Sequence, residues 1–134
     1  MGGDEINLLD LRSEGSNYGW PISSYGEHYG NVTIEGAPLK KSHKIYGFLE
    51  PIYFFYTSIG ISEIEKGPNK EFILTSLNNR RIYNLMFDED YSGVTLIQSY
   101  KIGERIRDIL YLKEENLYIL SLEDTPKIGI FINN

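Results

Sequence analysis

Short apolar segments recur in the second half of the chain at a spacing of 45 to 47 residues, and this spacing limits the fold more than any other feature. Ile73-Leu74-Thr75-Ser76-Leu77 is answered 45 residues later by Tyr118-Ile119-Leu120-Ser121-Leu122. Arg81-Ile82 returns at 46 as Lys127-Ile128, and Ile59 to Ile64 returns at 47 as Ile106 to Tyr111. Turn-forming residues separate the segments: Asn78-Asn79, Asp88-Glu89-Asp90, Lys113 to Asn116, and Glu123 to Pro126. Strands of this length, with turns about every eight to twelve residues, read as an antiparallel meander. A repeat in the forties built from such strands is the mark of a β-propeller blade.

The expected fold is therefore all-β, a partial six-bladed propeller of about two and a half blades. Residues 1–58 supply two strands, Ile6 to Leu11 and Ile52 to Tyr56, on either side of a long polar loop. Residues 59–100 form one blade, and residues 101–134 form most of the last. No segment has the period of an amphipathic helix. A blade does not cover both of its own faces, and a propeller closes only with all its blades present. The uncovered faces are expected to meet the rest of a longer protein or other copies of this chain. Met1 stands directly before a distinctive motif, so it is expected to be an edge within a longer sequence.

Composition removes several classes of function. There is no cysteine among the 134 residues, which excludes disulfides, thiolate metal sites and cysteine nucleophiles. The net charge is −6, and the cationic pairs Lys40-Lys41 and Arg80-Arg81 stand alone. Without a basic stripe there is nothing to neutralise phosphates, so neither nucleic acid nor an anionic membrane is an expected partner. No apolar run reaches transmembrane length. The first twenty residues carry acids instead of the basic and apolar regions of a signal peptide.

The least generic stretch is the first thirty residues. Gly2-Gly3-Asp4-Glu5-Ile6-Asn7 is followed by Asn17-Tyr18-Gly19-Trp20-Pro21 and by Tyr25-Gly26-Glu27-His28-Tyr29. Glu50-Pro51, Ser76-Leu77, Arg105-Ile106-Arg107-Asp108 and Leu117-Tyr118-Ile119-Leu120 come later, in that order. Gly3 to Asn7, Asn17 to Pro21 and these four later motifs, taken together, resemble the C-terminal part of the soluble PQQ-dependent sugar dehydrogenases, the glucose/sorbosone and aldose sugar dehydrogenases. The resemblance implies a six-bladed propeller, generally periplasmic or secreted. It also implies an activity, oxidation of the anomeric carbon of an aldose with pyrroloquinoline quinone (PQQ) and calcium.

Residue by residue, the resemblance makes Glu5 a calcium ligand through its carboxylate and Tyr18 a ligand through its carbonyl. Hard oxygen donors suit that ion. Tyr29, Ser76, Leu77, Asn78, Arg105, Ile106 and Arg107 fall where the family contacts its quinone. Two arginines spaced by two share one face of an extended strand. Guanidinium groups bind carboxylates in a planar fork, which suits a cofactor with three carboxylates. Asn78 stands where the family commonly has Lys. The family's catalytic His lies in its N-terminal half, and neither His28 nor His43 matches it. Both histidines are expected on the surface, and the chain alone is expected to be inactive. Two other readings compete with this one. The chain could be a propeller module that assembles with its own copies, or a sugar-binding relic without redox chemistry.

Overall fold

The computed structural model describes residues 2–12, 15–28, 34–35, 39–68 and 70–132. The chain is all-β, in three antiparallel sheets, and falls into two compact units. Residues 1–58 with 91–93 form one, and residues 59–90 with 94–134 form the other.

In the first unit, β1 (Asp4–Ile6) pairs with β2 (Tyr53–Phe55), placing Glu5 opposite Phe54. The strand expected over Ile6 to Leu11 is displaced. It begins earlier and stops at Ile6, leaving Leu8, Leu9 and Leu11 exposed. The physical reason lies in the partner. The Ile52 N–H still donates to the Ile6 carbonyl, but Pro51 beyond it has no N–H to extend the ladder. An Asp10 carboxylate turn, accepting from the Arg12 N–H, then redirects the chain.

The glycine pair at the start is a packing requirement. A Cβ on Gly3 would lie 2.1 Å from the Gly26 nitrogen, and one on Gly26 would lie 2.3 Å from the Gly2 carbonyl oxygen. Two backbones touch there, and only glycine permits it. The long loop has no strand among its described residues. It is pinned by a parallel bridge between Ser23 and Lys40, with the Ser23 hydroxyl donating to the Lys40 carbonyl. A short 3-10 turn, His43–Tyr46, follows.

In the second unit, β3 (Ile61–Lys66), β4 (Glu71–Ser76), β5 (Arg81–Phe87) and β6 (Val94–Lys101) form a four-stranded meander. A three-stranded meander follows, made of β7 (Ile106–Leu112), β8 (Leu117–Leu122) and β9 (Lys127–Phe131). The repeat is structural. A bulge between Ile61 and Glu63 in β3 recurs between Ile106 and Asp108 in β7, 45 residues on. Thr75 pairs with Ile82 as Ser121 pairs with Ile128, which puts the second and third strands 46 apart. The sequence match had put the first strands at 47 and the second at 45. Repeated Leu and Ile align almost as well one or two residues out of place, whereas the bulge and the ladder fix the register.

The core of this unit lies between the two sheets. Ile73 and Ile82 from the first pack against Ile106, Ile109, Tyr118 and Leu120 from the second. Polar contacts seal the same join. The Ser62 hydroxyl donates to the Ile106 carbonyl at 2.7 Å, and the Tyr111 N–H donates to Glu65 Oε1 at 3.0 Å.

Candidate functional site

The distinctive first thirty residues converge on one side chain, His43. It is completely buried. Its Nδ1 lies 2.8 Å from the Tyr18 carbonyl oxygen, and its Nε2 lies 3.1 Å from Glu5 Oε1. A carbonyl only accepts, so Nδ1 carries a proton and donates it. Nε2 is buried without a well-aligned hydrogen bond and faces the carboxylate at ion-pair distance. The expectation that His43 sits on the surface is thus corrected. Its polar sequence neighbourhood is exposed, but the 3-10 turn directs this one ring inward.

Several groups hold the ring. Tyr25 stacks on it with centroids 5.1 Å apart, and Phe54 in turn stacks on Tyr25 at 3.9 Å, nearly parallel. Gly19, at φ +96°, makes room: a Cβ there would stand 2.9 Å from His43 Nδ1 and 2.8 Å from Ser23 Cβ. The Tyr25 hydroxyl donates to Glu50 Oε2 at 2.7 Å, and the Lys44 N–H donates to Glu50 Oε1 at 2.7 Å. Burial, reinforced by the Glu50 carboxylate, pushes the Tyr25 hydroxyl up to about 12. Burial also works against the Glu50 charge, but the Lys44 and Tyr25 donors outweigh it and hold that carboxyl below its usual range.

Glu5 and Tyr18 are therefore brought together, but through a ring. Two oxygens on one calcium ion lie at most about 5 Å apart, since each Ca–O distance is about 2.3–2.6 Å. An imidazole that reaches one oxygen from each of its two nitrogens holds them further apart than that. Glu5 Oε2 also lies at 3.5 Å from the Asn7 side-chain amide. No group of three or more His, Asp or Glu side chains suited to a metal occurs among the described residues. The donor set present does not fit a shared calcium ion.

The second cluster stands at the start of β7. Arg105 Nε donates to Glu123 Oε2 at 2.7 Å, and Arg107 Nη2 donates to Glu123 Oε1 at 2.8 Å. Both guanidinium groups thus share one carboxylate, and all three side chains remain accessible. Hydrogen bonds from Arg105 first, and then from Arg107, hold the Glu123 carboxyl below its usual range, and the same bond raises Arg105. Asp124 accepts from the Arg105 N–H at 3.3 Å and pairs with Arg80 at 3.4 Å. Glu104 accepts from the Thr125 hydroxyl and N–H across the same end of the blade.

The other expected cofactor contacts are placed differently. Ile106 is fully buried in the core, and its carbonyl accepts from the Ser62 hydroxyl. Ser76 is also fully buried, its hydroxyl donating to the Arg81 carbonyl and accepting from the Arg81 N–H. The Leu77 and Asn78 N–H groups donate to the Gly60 and Ile59 carbonyls. Tyr29 lies outside the described residues. His43, Tyr25, Glu50 and Glu123 were given no site role from the sequence. Tyr25 and Glu50 lay within distinctive motifs, and Glu123 directly follows β8, the strand paired with β7.

Comparison with known proteins agrees over nearly the whole chain. Residues 1–129 match the model of the Glucose / Sorbosone dehydrogenase family. The aldose sugar dehydrogenase YliI of Escherichia coli (strain K12) is 27% identical over 144 residues, covering 95% of this chain and 34% of that protein. An uncharacterized Synechocystis protein is 25% identical over 134 residues, covering 95% of this chain and 31% of that one. A crystal structure of a glucose dehydrogenase superposes with a TM-score of 0.76 at 23% identity, over 96% of this chain and 37% of that one. The soluble aldose sugar dehydrogenase of Escherichia coli in its apo-form gives 0.76 at 22%, with the same coverage. The chain spans about a third of the length of the curated relatives it matches. Its fold is part of a β-propeller of the dehydrogenase type.

Proposed function

The chain belongs to the glucose/sorbosone dehydrogenase family, and from that premise we propose that it forms part of a PQQ-dependent aldose dehydrogenase and supplies a carboxylate-binding edge of the cofactor site. The observation that carries this reading is the convergence of Arg105 and Arg107 on one carboxylate, that of Glu123. Two forked, permanently charged donors held this way are suited to a polycarboxylated ligand. PQQ, when bound, would supply the two-electron acceptor for the hydride from the sugar. The role of this chain's residues is to bind and orient. Arg105 and Arg107 would exchange Glu123 for a ligand carboxylate, and the Leu77–Asn78 turn would border the same ligand.

This chain contributes no general base in this reading. A base needs reach to the proton it removes, and His43 is enclosed between Glu5 and Tyr18. Periplasmic or secreted location is part of the same proposal. No helix among the described residues is long and apolar enough to cross a membrane. The test is titration of the chain with PQQ, followed by an aldose and an artificial electron acceptor. Salt-sensitive PQQ binding that Arg105→Ala and Arg107→Ala each weaken, without turnover, is the expected result. Sustained turnover by this chain alone would overturn the absence of a base. PQQ binding indifferent to both arginines would overturn the site.

A second reading, association with other copies, is favoured by the exposed face of the last sheet. Leu110, Ile128 and Ile130 stand open there. Light scattering distinguishes it: a monomer at high concentration counts against association.

A further inference from the structure

We propose that His43 takes the place of a divalent cation in the first unit, so that the Glu5–His43–Tyr18 bridge orders this region without metal. Four observations support the bridge. The ring reaches a carboxylate oxygen with one nitrogen and a backbone carbonyl with the other. It is fully buried, with Tyr25 stacked on it. Gly19 lacks the Cβ that would collide with Nδ1, so the Asn17-Tyr18-Gly19-Trp20-Pro21 segment is shaped to receive a ring there. Among the described residues no further acid joins Glu5 and His43 to build the six to eight oxygens that calcium needs.

The chemistry of the two ligands explains the exchange. A cation at this junction would neutralise the Glu5 carboxylate and orient the Tyr18 carbonyl. An imidazole spans both, with Nε2 at ion-pair distance from the carboxylate and the Nδ1–H donating to the carbonyl. It also links three separate stretches of chain: β1, the loop after it, and the 3-10 turn. A metal ion held by the Glu5 carboxylate and the Tyr18 carbonyl would link only the first two. The consequence is a fold in this unit indifferent to chelators.

The test uses the full chain and needs no activity. After treatment with EDTA, the melting temperature by calorimetry is expected to be the same in millimolar calcium as in chelator, within about 1 °C. A site occupied at a hundredfold excess over its Kd would raise it by about 10 °C or more. Isothermal titration with calcium, and separately with zinc, is expected to show no saturable heat. By NMR, the His43 Nδ1–H is expected to be visible and protected from exchange, and unmoved by either ion. A stoichiometric calcium or zinc isotherm abolished by Glu5→Gln would overturn the proposal. So would an exposed, rapidly exchanging Nδ1–H in the folded chain.

Discussion

Ile82 and Ile128 occupy equivalent places in successive blades, each on the third strand beside the same ladder pair. Ile82 is fully buried, whereas Ile128 is 77% exposed. Part of the difference is local, because β5 is flanked by β6 while β9 is the edge of its sheet. The rest is whether another blade lies against that face. β7 and β8 cover Ile82, and among the described residues nothing covers Ile128. A propeller blade is thus a unit whose strands form locally but whose stability comes from its neighbour.

The largest expected effect breaks this comparison directly. Ile82→Ala should cost about 2–5 kcal/mol, the transfer term plus a cavity between two sheets. Ile128→Ala should change stability by no more than about 0.5 kcal/mol. Urea unfolding of both variants checks the pair, and a similar cost for the two would mean that the last sheet is covered in solution. Ile128→Asp should then report on association, lowering the scattering mass only if copies meet through this face.

Gly19→Ala is the next test and moves the comparison to the first unit. The new Cβ would meet His43 Nδ1 and Ser23 Cβ, and the φ of +96° is unfavourable for any side chain. A loss of about 1–3 kcal/mol follows from strain and overpacking. Calorimetry should show the loss together with faster exchange of the His43 Nδ1–H. Normal exchange with normal stability would mean that the ring does not rest against Gly19.

Two tyrosines sharpen the contrast between the units. Both hydroxyls are pushed up to about 12, chiefly by burial. The Tyr25 hydroxyl has a partner in Glu50, but the Tyr118 hydroxyl is buried with no hydrogen-bond partner among the described residues. Tyr25→Phe should therefore cost about 1 kcal/mol, while Tyr118→Phe should be neutral or stabilising by up to about 1 kcal/mol. A pKa raised in the folded state means that the unfolded chain gives up its proton first as pH rises. The stability these groups contribute is complete below about pH 10 and is lost toward about pH 12. Each Phe variant should flatten that alkaline decline when unfolding is followed across the range.

The blades were legible in sequence because local rules make them. Alternating apolar residues and Asn, Asp and Gly turns reproduce β7 and β8 to the residue, at Ile106–Leu112 and Leu117–Leu122. The register was not, because Leu and Ile are interchangeable in a pattern while a bulge counts residues. The first unit was legible only as a set of special residues. Glu5 and Tyr18 were singled out as ligands of one ion, and the structure brings them together through an imidazole instead. The side chain that joins them, His43, follows Tyr18 by 25 residues through a loop with no period. No local rule carries that pairing, since it depends on where a long loop returns.

The smallest effect on stability falls on Glu123, and it separates structural from binding roles at the arginine pair. Glu123→Gln removes the charge that two accessible guanidinium groups share, and accessible ion pairs contribute little to folding. In the parent chain the Glu123 carboxyl is held below its usual range, so its contribution is present above that range and lost as pH falls through the lowered value. The variant should remove that acid-side dependence and leave stability at neutral pH nearly unchanged. Its effect on binding should be opposite in sign. With Gln at this position, Arg105 and Arg107 no longer satisfy each other's charge through a resident carboxylate, so a carboxylated ligand need not displace one. PQQ should bind more tightly to Glu123→Gln than to the parent chain, and added salt should erode that gain. Weaker binding in the variant would mean that Glu123 holds the arginines in the geometry the ligand requires, a positioning role instead of a competing one.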